Sequence, residues 1–568
     1  VGLGAPHFAY MTLRCLTLIS QISPHSGERL VTQSSADPVV SISTSKTGFY
    51  EGFNVSVAAI PKVVIFTFIL WIGLSPERAG EQLADMQTWS TSSFGGWYIY
   101  VTAFFTFVCL AIALWPRTGR IVLGAKDEAP AFSLFTWVSM MFGAGIGIGM
   151  LTYSTAEPIF HFATNPETIQ GLSAPLDESN VRNAYKWAML HYGLTPWACY
   201  GLIGISLSYF SYVRGLPLTI RSGLQPLFGD AMSGWLGHLV DIAAILATLI
   251  GLGVTIGYGV SQFASGIFNI SGMAFLVDEA GKPTLIAQIT GLVIIVSASC
   301  LSALSGIQRG IKWLSNINML LSIALLLCFV ALGSTLFAIQ SFGYAIWDYL
   351  IALPTMSTTV WNDASTDVGA ALQNWQGAWN IFYWAWWIAF APFVGMFLAR
   401  VSKGRTIREY VLGAIIVPSL ICLTWLTFVG ATAIDLELSG IAQGTIVNSD
   451  MSAQLFTTIN LLLSPSMAVA LSVLVVVLLL TFLITSADSG ILIINTLASG
   501  GDQSQKQGLH VLLWGVIFVL LVSVLLVAGG MDALRSAMIV GALPFSLVMA
   551  LMAISLLKAL VFDTKAQA

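Results

Sequence analysis

The chain has 568 residues, of which 56% are hydrophobic and 9% charged, with a mean hydropathy of +0.84. Soluble proteins carry about 25% charged residues, so this composition cannot clothe the several water-facing domains that the length would otherwise suggest. The 23 basic and 27 acidic residues leave a net charge of −4 and no polycationic face for nucleic acid. Six scattered cysteines without a C-x-x-C pair exclude a disulfide framework, and six histidines without H-E-x-x-H spacing leave metal hydrolysis unsupported.

Residues 1 to about 50 are polar and rich in Ser and Thr, and their apolar stretch Met11–Ile22 is too short to span a bilayer. This segment is expected to be a disordered cytoplasmic tail. Beyond it, runs as long and dry as Ile323–Ala338, Ser472–Ile484 and Trp514–Ala528 need lipid as their solvent. Spanning helices are predicted at roughly 57–74, 97–115, 133–156, 184–212, 236–268, 285–303, 312–340, 376–400, 408–433, 464–497, 509–529 and 538–561, about twelve in all. The fold class is an all-α polytopic membrane protein, with one membrane domain over 51–562 and a short cytoplasmic tail at 563–568.

Basic residues gather in alternate loops, as at Arg117 and Arg120, Arg214 and Arg221, and Arg400 to Arg408. The intervening loops are acidic, with Glu77, Glu81 and Asp85 in the first, and Glu167, Asp177 and Glu178 in the next. By the positive-inside rule both termini are cytoplasmic. Within the long loop at 341–375, Tyr344–Leu353 is expected to form an amphipathic helix at the outer interface.

In the third span, Gly143, Gly145, Gly147 and Gly149 stand at every second position. Helix packing alone favours small residues on one face, four apart. Spacing of two strips opposite faces and costs about 1 kcal/mol of helix propensity per glycine. The run therefore predicts a locally unwound span whose carbonyls and amides face a ligand or ion.

The fourth span carries Tyr192, Trp197 and Tyr200 around Pro196, and the eighth carries Trp384, Trp386 and Trp387 ahead of Pro392, which is expected to break that helix. Headgroup belts explain many membrane tryptophans, but these lie well inside their spans. Aromatic faces attract cations and, as cages, recognise quaternary ammonium groups. An unpaired carboxylate in the same place would be costly. In the tenth span, Thr485 and Ser486 sit side by side with Asp488 nearby. Back-bonding to helix carbonyls is one reading of such hydroxyls; a site for a hard cation such as sodium is the other.

Three blocks carry a family resemblance: 141–162, with the glycine run leading into Ala156, Glu157 and Pro158; Phe382–Arg400 followed by Gly404–Glu409; and Thr485–Ser489. From about Gly48 to Phe562 the chain resembles the betaine/choline/carnitine transporter family. The resemblance implies a LeuT-like fold of two inverted five-helix repeats, spans three to seven and eight to twelve, behind two extra helices. It also implies alternating access around a midplane site, broken third and eighth spans, a homotrimer, and residence in the bacterial cytoplasmic (inner) membrane. Cage positions are then Trp197, Tyr200, Trp386 and Trp387, with Tyr192 and Phe390 standing where many members have Trp. Trp384 and the backbone of Gly145, Gly147 and Gly149 complete the expected solute site.

The resemblance places one sodium ion between Thr485, Ser486, the carbonyl of Phe482 and carbonyls of the Gly143–Ile146 stretch. A second sodium would involve Thr248 and Phe393, although Leu252 stands where members with that site offer another hydroxyl. No Lys or Arg occurs between Arg221 and Lys282 or between Arg408 and Lys506, so no built-in cation replaces sodium in the fifth or tenth span. Glu157, Asp241 and Asp488 are expected to be structural: a local hydrogen bond, a helix-dipole partner and a support for the hydroxyl pair.

The combined expectation is a secondary transporter, neither an enzyme nor a cofactor protein, taking up a methylated onium zwitterion such as glycine betaine or dimethylsulfoniopropionate with sodium. Choline or carnitine transport, and proton-coupled or sodium-independent exchange, stay open as alternatives. So does a non-transporting osmosensor or channel, although no ring of charge or repeated pore loop marks a channel.

Overall fold

The computed structural model describes residues 40–125, 127–145, 147–304, 308–502, 504 and 508–566. Most of the expected tail, 1–39, lies outside them, whereas residues 40–50 do not behave as a tail. Val40 is buried, and the Phe49 carbonyl lies 2.7 Å from His510 Nε2, with the two rings 4.4 Å apart. The packed body therefore starts before the first span.

Asn54 then opens α1 (Val55–Leu74), its side chain accepting the Val57 N–H at 3.1 Å. The polar stretch after it, expected as a loop, is helical. Pro76 sits at the first helical position and Glu77 in the first turn, so α2 runs unbroken over Pro76–Leu114. The third span is two helices, α3 (Leu134–Gly145) and α4 (Gly147–Ala163), bent by 68°. The fourth is likewise α5 (Val181–Tyr192) and α6 (Leu194–Ser208). Its break falls at Gly193, where a Cβ would collide with Tyr349, whose hydroxyl accepts the Leu194 N–H at 2.9 Å. Pro196 lies in the first turn of α6, where its missing N–H costs nothing.

Next come α7 (Trp235–Ser271), α8 (Leu285–Leu304) and α9 (Gln308–Leu332). The predicted seventh span ran on to 340, but the helix stops at Leu332. A Cβ on Gly333 would clash with Thr432, and the Ser334 hydroxyl donates to Asp435 at 2.5 Å, so the chain turns into a separate helix, α10 (Thr335–Met356). The interfacial segment expected at Tyr344–Leu353 belongs to it.

The last third holds α11 (Asp367–Val401), α12 (Ile407–Leu438) and α13 (Pro465–Ala498), then Gly508–Ala566, divided into α14 and α15 at Gly529 and Gly530. Gly530 has φ +64° and ψ −141°, a conformation that side chains rarely adopt. Of the residues expected as a tail, 563–566 continue α15, and Asp563 accepts two hydrogen bonds from Arg214, at 2.7 and 3.1 Å.

Contrary to expectation, α11 is not broken. It passes through Pro392 and is relieved only by a π turn at Gly377–Ile381. Its most apolar stretch is entirely buried, and one lost hydrogen bond, about 1 kcal/mol net, is less than unpacking that stretch would cost.

Among the described residues, ten helices are individually long and apolar enough to cross a membrane. Joining α3 to α4 and α5 to α6, dividing the last helix at its glycines and setting aside α10, whose mean hydropathy of 1.3 is the lowest, leaves twelve spans. Behind α1 and α2 these fall into two sets of five, one opening on α3–α4 and the other on α11. No strand occurs among the described residues, only isolated bridges. Outer helices turn Phe66 and Leu70, Leu320 and Leu327, and Val473 and Val477 outward, as a lipid solvent requires.

The loop after α2 pairs with the one after α11. Leu123 N–H donates to the Arg405 carbonyl at 2.8 Å, and Lys403 bonds Glu128 at 2.7 Å, holding that carboxyl below the usual carboxylate range. Asp241 is more than a helix-dipole partner. It is fully buried against the fully buried Arg221, with Nε 2.6 Å from Oδ2 and the Arg221 N–H 3.1 Å from Oδ1. Stranding one such charge costs about 3–5 kcal/mol. Asp241→Leu is therefore expected to lower the unfolding temperature of the detergent-purified protein more than the double replacement Arg221→Met with Asp241→Leu. Equal losses would contradict this account.

Candidate functional site

The α3–α4 break lies against aromatic side chains, and its glycines make that approach possible. A Cβ on Gly145 would come within 2.7 Å of the Trp197 ring, and one on Gly147 within 2.5 Å of the Phe482 ring. Gly143 is different, since a Cβ there would meet nothing nearer than 3.8 Å. Ile146, an expected sodium ligand, lies outside the described residues.

A cavity of about 10 Å³, room for about one water, opens at the break. Gly145, Gly147, Ile148 and Gly149 form one side; Trp386, Trp387 and Phe390 of α11 face them, with Thr255 of α7 and Ser486 of α13 closing the ends. Trp386 and Trp387 stack at 5.0 Å and 12°. Their N–H groups are committed elsewhere, Trp386 Nε1 to Thr255 Oγ1 at 2.9 Å and Trp387 Nε1 to the His191 carbonyl at 3.1 Å. The ring faces are thereby fixed in orientation.

Tyr192 and Tyr200 set their rings edge-on to Trp387 at 5.8 and 6.2 Å, and Trp197 packs edge-on to Tyr200 at 5.8 Å. Of the expected cage residues, Trp386, Trp387 and Phe390 line the cavity and Tyr192, Trp197 and Tyr200 pack behind them, whereas Trp384 meets the His191 ring at 5.8 Å. The Tyr200 hydroxyl is buried without a hydrogen-bond partner among the described residues.

Gly147–Gly149 are the first residues of the 17-residue α4. They open the helix that follows the 68° bend, at the positive end of its dipole. The cavity therefore presents aromatic faces, suited to a cation, beside a helix N-terminus, suited to an anion.

Of the expected sodium ligands, Ser486 lines the cavity and the Phe482 ring touches the break at Gly147. Thr485 donates to the carbonyls of Thr481 and Phe482 at 2.9 and 3.0 Å, so two expected ligands are bonded to each other. Thr248 is back-bonded to Ala244 at 2.8 Å, and Phe393 packs on Phe390 at 5.0 Å. Asp488 does not support the hydroxyl pair as expected; it accepts from Ser302 of α8 at 2.6 Å.

Sequence reasoning missed the wall behind the cage. Glu157, expected to bond locally, is fully buried and reaches across helices. His191 Nδ1 lies 2.5 Å from its Oε1, His161 Nε2 lies 3.3 Å away, and the Tyr383 hydroxyl donates to its Oε2. All three ligand-type side chains lie within 4.8 Å of one another. Two ligands of one tetrahedral zinc ion stand about 3.3 Å apart, so the 2.5 Å contact is a hydrogen bond. An ionisable residue inside a span was the available signal; its partners, 34 and 226 residues away, were not.

Residues 56–565 match the profile of the betaine/carnitine/choline family of transporters. A glycine betaine transporter, OpuD, of Bacillus subtilis (strain 168) is 35% identical over 498 residues, covering 87% of this chain and 91% of that one. Glycine betaine transporter 1 of Vibrio parahaemolyticus is 37% identical over 471 residues, covering 82% and 85%. A glycine betaine/proline/choline/ectoine transporter of the same organism is 34% identical over 509 residues, covering 88% and 85%. A solved Na+-coupled sialic acid symporter, substrate-bound and outward-open, matches with a TM-score of 0.44 at 12% identity, covering 79% of this chain and 84% of that one.

The close approach at Gly147 yields a prediction. Gly147→Ala is expected to cost about 1–3 kcal/mol through overpacking against Phe482. Phe482→Leu should recover part of that loss in a double-mutant cycle, measured by thermal unfolding. Additive losses would show that the two sites do not touch.

Proposed function

The chain belongs to the betaine/carnitine/choline family of transporters, and from that premise we propose sodium-coupled uptake of a small onium zwitterion of the glycine betaine type by alternating access. One observation carries the reading. A single cavity is lined by the stacked Trp386–Trp387 pair and by the first turn of α4. The cationic head of such a solute suits the indole faces, and its carboxylate suits the N–H groups in the first turn of α4, at Gly147, Ile148 and Gly149. Choline has no carboxylate and would leave the second half of the site unused. The named relatives support the class, since glycine betaine is common to the three transporters above.

The coupling ion is assigned to Thr485 and Ser486, the Phe482 carbonyl and carbonyls at the α3–α4 break. Sodium would draw the Thr485 hydroxyl away from Phe482, exchanging one hydrogen bond for two oxygen ligands. Because the break also forms the solute cavity, ion and solute would stabilise the same backbone arrangement, which is the physical requirement for coupling. In this reading the protein lies in the bacterial cytoplasmic membrane with both termini inside, as a homotrimer.

Tryptophan quenching by glycine betaine and choline, with and without sodium, and uptake into proteoliposomes test the proposal. Trp387→Ala should weaken glycine betaine binding by about thirtyfold, equivalent to about 2 kcal/mol for a desolvated cation–π contact. Thr485→Ala with Ser486→Ala should raise the sodium concentration for half-maximal uptake by about tenfold or more, on the scale of a lost charged-group interaction. Uptake that persists unchanged without sodium, or that survives Trp387→Ala, would overturn the mechanism.

A further inference from the structure

Neither the solute site nor the sodium site uses Glu157, although it stands at the back of the cage. Its side-chain partners can all carry a proton: His191, His161 and Tyr383. The far side of the His191 ring reveals a choice of two states. Nε2 lies 2.8 Å from Asn380 Oδ1, an acceptor, while Nδ1 faces the Glu157 carboxylate, also an acceptor. An imidazole between two acceptors holds a proton on each nitrogen. In this arrangement Asn380 Nδ2 is buried without a partner. Half a turn of the amide would set Nδ2–H against Nε2, satisfying a neutral imidazole and leaving Oδ1 unpaired instead. Either protonation state therefore leaves one amide atom unpaired, and the site can hold both.

The cluster touches the cage directly. The His191 ring stacks on Tyr383 at 4.6 Å and 22°, and Tyr383 stacks on Trp387 at 5.4 Å and 25°. The His191 carbonyl also receives the Trp387 N–H. One aromatic layer thus separates the exchangeable proton from the indole face assigned to the cation.

Resting on the cage reading, we propose that Glu157, His191, His161 and Asn380 form a proton-binding site whose occupancy sets the affinity of the cage for the cationic head of its solute. With both imidazoles neutral, the cluster carries the negative charge of Glu157 and favours a cation across Tyr383. With His191 protonated that charge is cancelled. Binding of the solute therefore releases a proton, and affinity rises with pH.

The surrounding ionisable groups come from every neighbouring helix. Tyr153 of α4, Tyr192 of α5, Tyr258 of α7 and Cys422 of α12 are buried nearby. Arg535 of α15 lies over Phe382 at 4.3 Å with Asp532 at 3.9 Å. Farther along α5 and α12, Lys186 pairs with Glu167 at 2.5 Å, and Asp435 accepts from Ser334. Of these residue types, imidazole is the one that ordinarily changes charge between about pH 5 and 8.

Calorimetric titration of the full-length protein with glycine betaine, in saturating sodium and in buffers of different ionisation enthalpy, counts the linked protons. The expected result is release of up to about one proton per solute, with Kd tightening about three- to tenfold as the pH is raised. Glu157→Gln, which keeps the side-chain shape, should bind with no proton release and a pH-independent Kd. His191→Gln should do the same and serves if the first variant does not fold. No proton release by the unmodified protein, proton uptake instead of release, or an unchanged count in a folded variant would overturn the proposal. Absence of binding by any onium solute at every pH would overturn the cage reading and this proposal with it.

Discussion

Inside lipid every backbone N–H and C=O needs a partner within the protein, and the α3–α4 break is where that requirement is hardest to meet. The surrounding helices are arranged around this difficulty. Tyr192 of α5 donates its hydroxyl to the Gly149 carbonyl at 3.2 Å. Gln262 of α7 donates to the Leu151 carbonyl at 3.0 Å and accepts from Thr152 at 2.9 Å. The rings of Trp197 and Phe482 close over Gly145 and Gly147. Carbonyls of early α4 are thus partnered from two other helices, and the cavity opens beside the first turn of that helix.

The same constraint governs how charge is used. With 9% charged residues, few fall in the interior, and the most deeply buried are partnered. Arg221 and Asp241 neutralise each other, and Glu157 accepts from two imidazoles and a phenol. Aromatic faces attract a cation without being charged themselves, so the site needs no counter-ion when empty. A carboxylate in the cage would need one. Placing Glu157 one ring layer behind the cage leaves its field available while its oxygens remain bonded.

Much of this was legible along the chain because it is local. Hydropathy located the spans, glycines at every second position located the break, and Trp386 and Trp387 marked the wall opposite. The misreadings came from competition between a local rule and packing that no local rule encodes. Pro392 should break a helix, but α11 is buried on all sides and absorbs the loss. The polar stretch from Pro76 reads as a loop by composition, yet Pro76 and Glu77 start a helix. The ends of α9 and α5 depend on Gly333 meeting Thr432 and on Gly193 meeting Tyr349. The partners of Glu157 come from α5 and α11, so the residue was visible and its network was not.

The difference between the two five-helix sets bears on how the site could open. The first set begins with a helix bent by 68°; the second begins with α11, which is continuous. A Cβ on Gly395 would clash with Ile203 of α6, and one on Gly251 of α7 would come within 3.1 Å of Ala389, so α11 is packed backbone-close on both sides. Its stacked tryptophans leave about 10 Å³ before the glycines, far less than a trimethylammonium group requires. Shifting α11 would undo two close helix contacts, whereas the α3–α4 junction is already bent and carries no side chains at Gly145 and Gly147. On the proposed reading, room for the solute is therefore gained at least cost by moving the broken span away from a fixed aromatic wall.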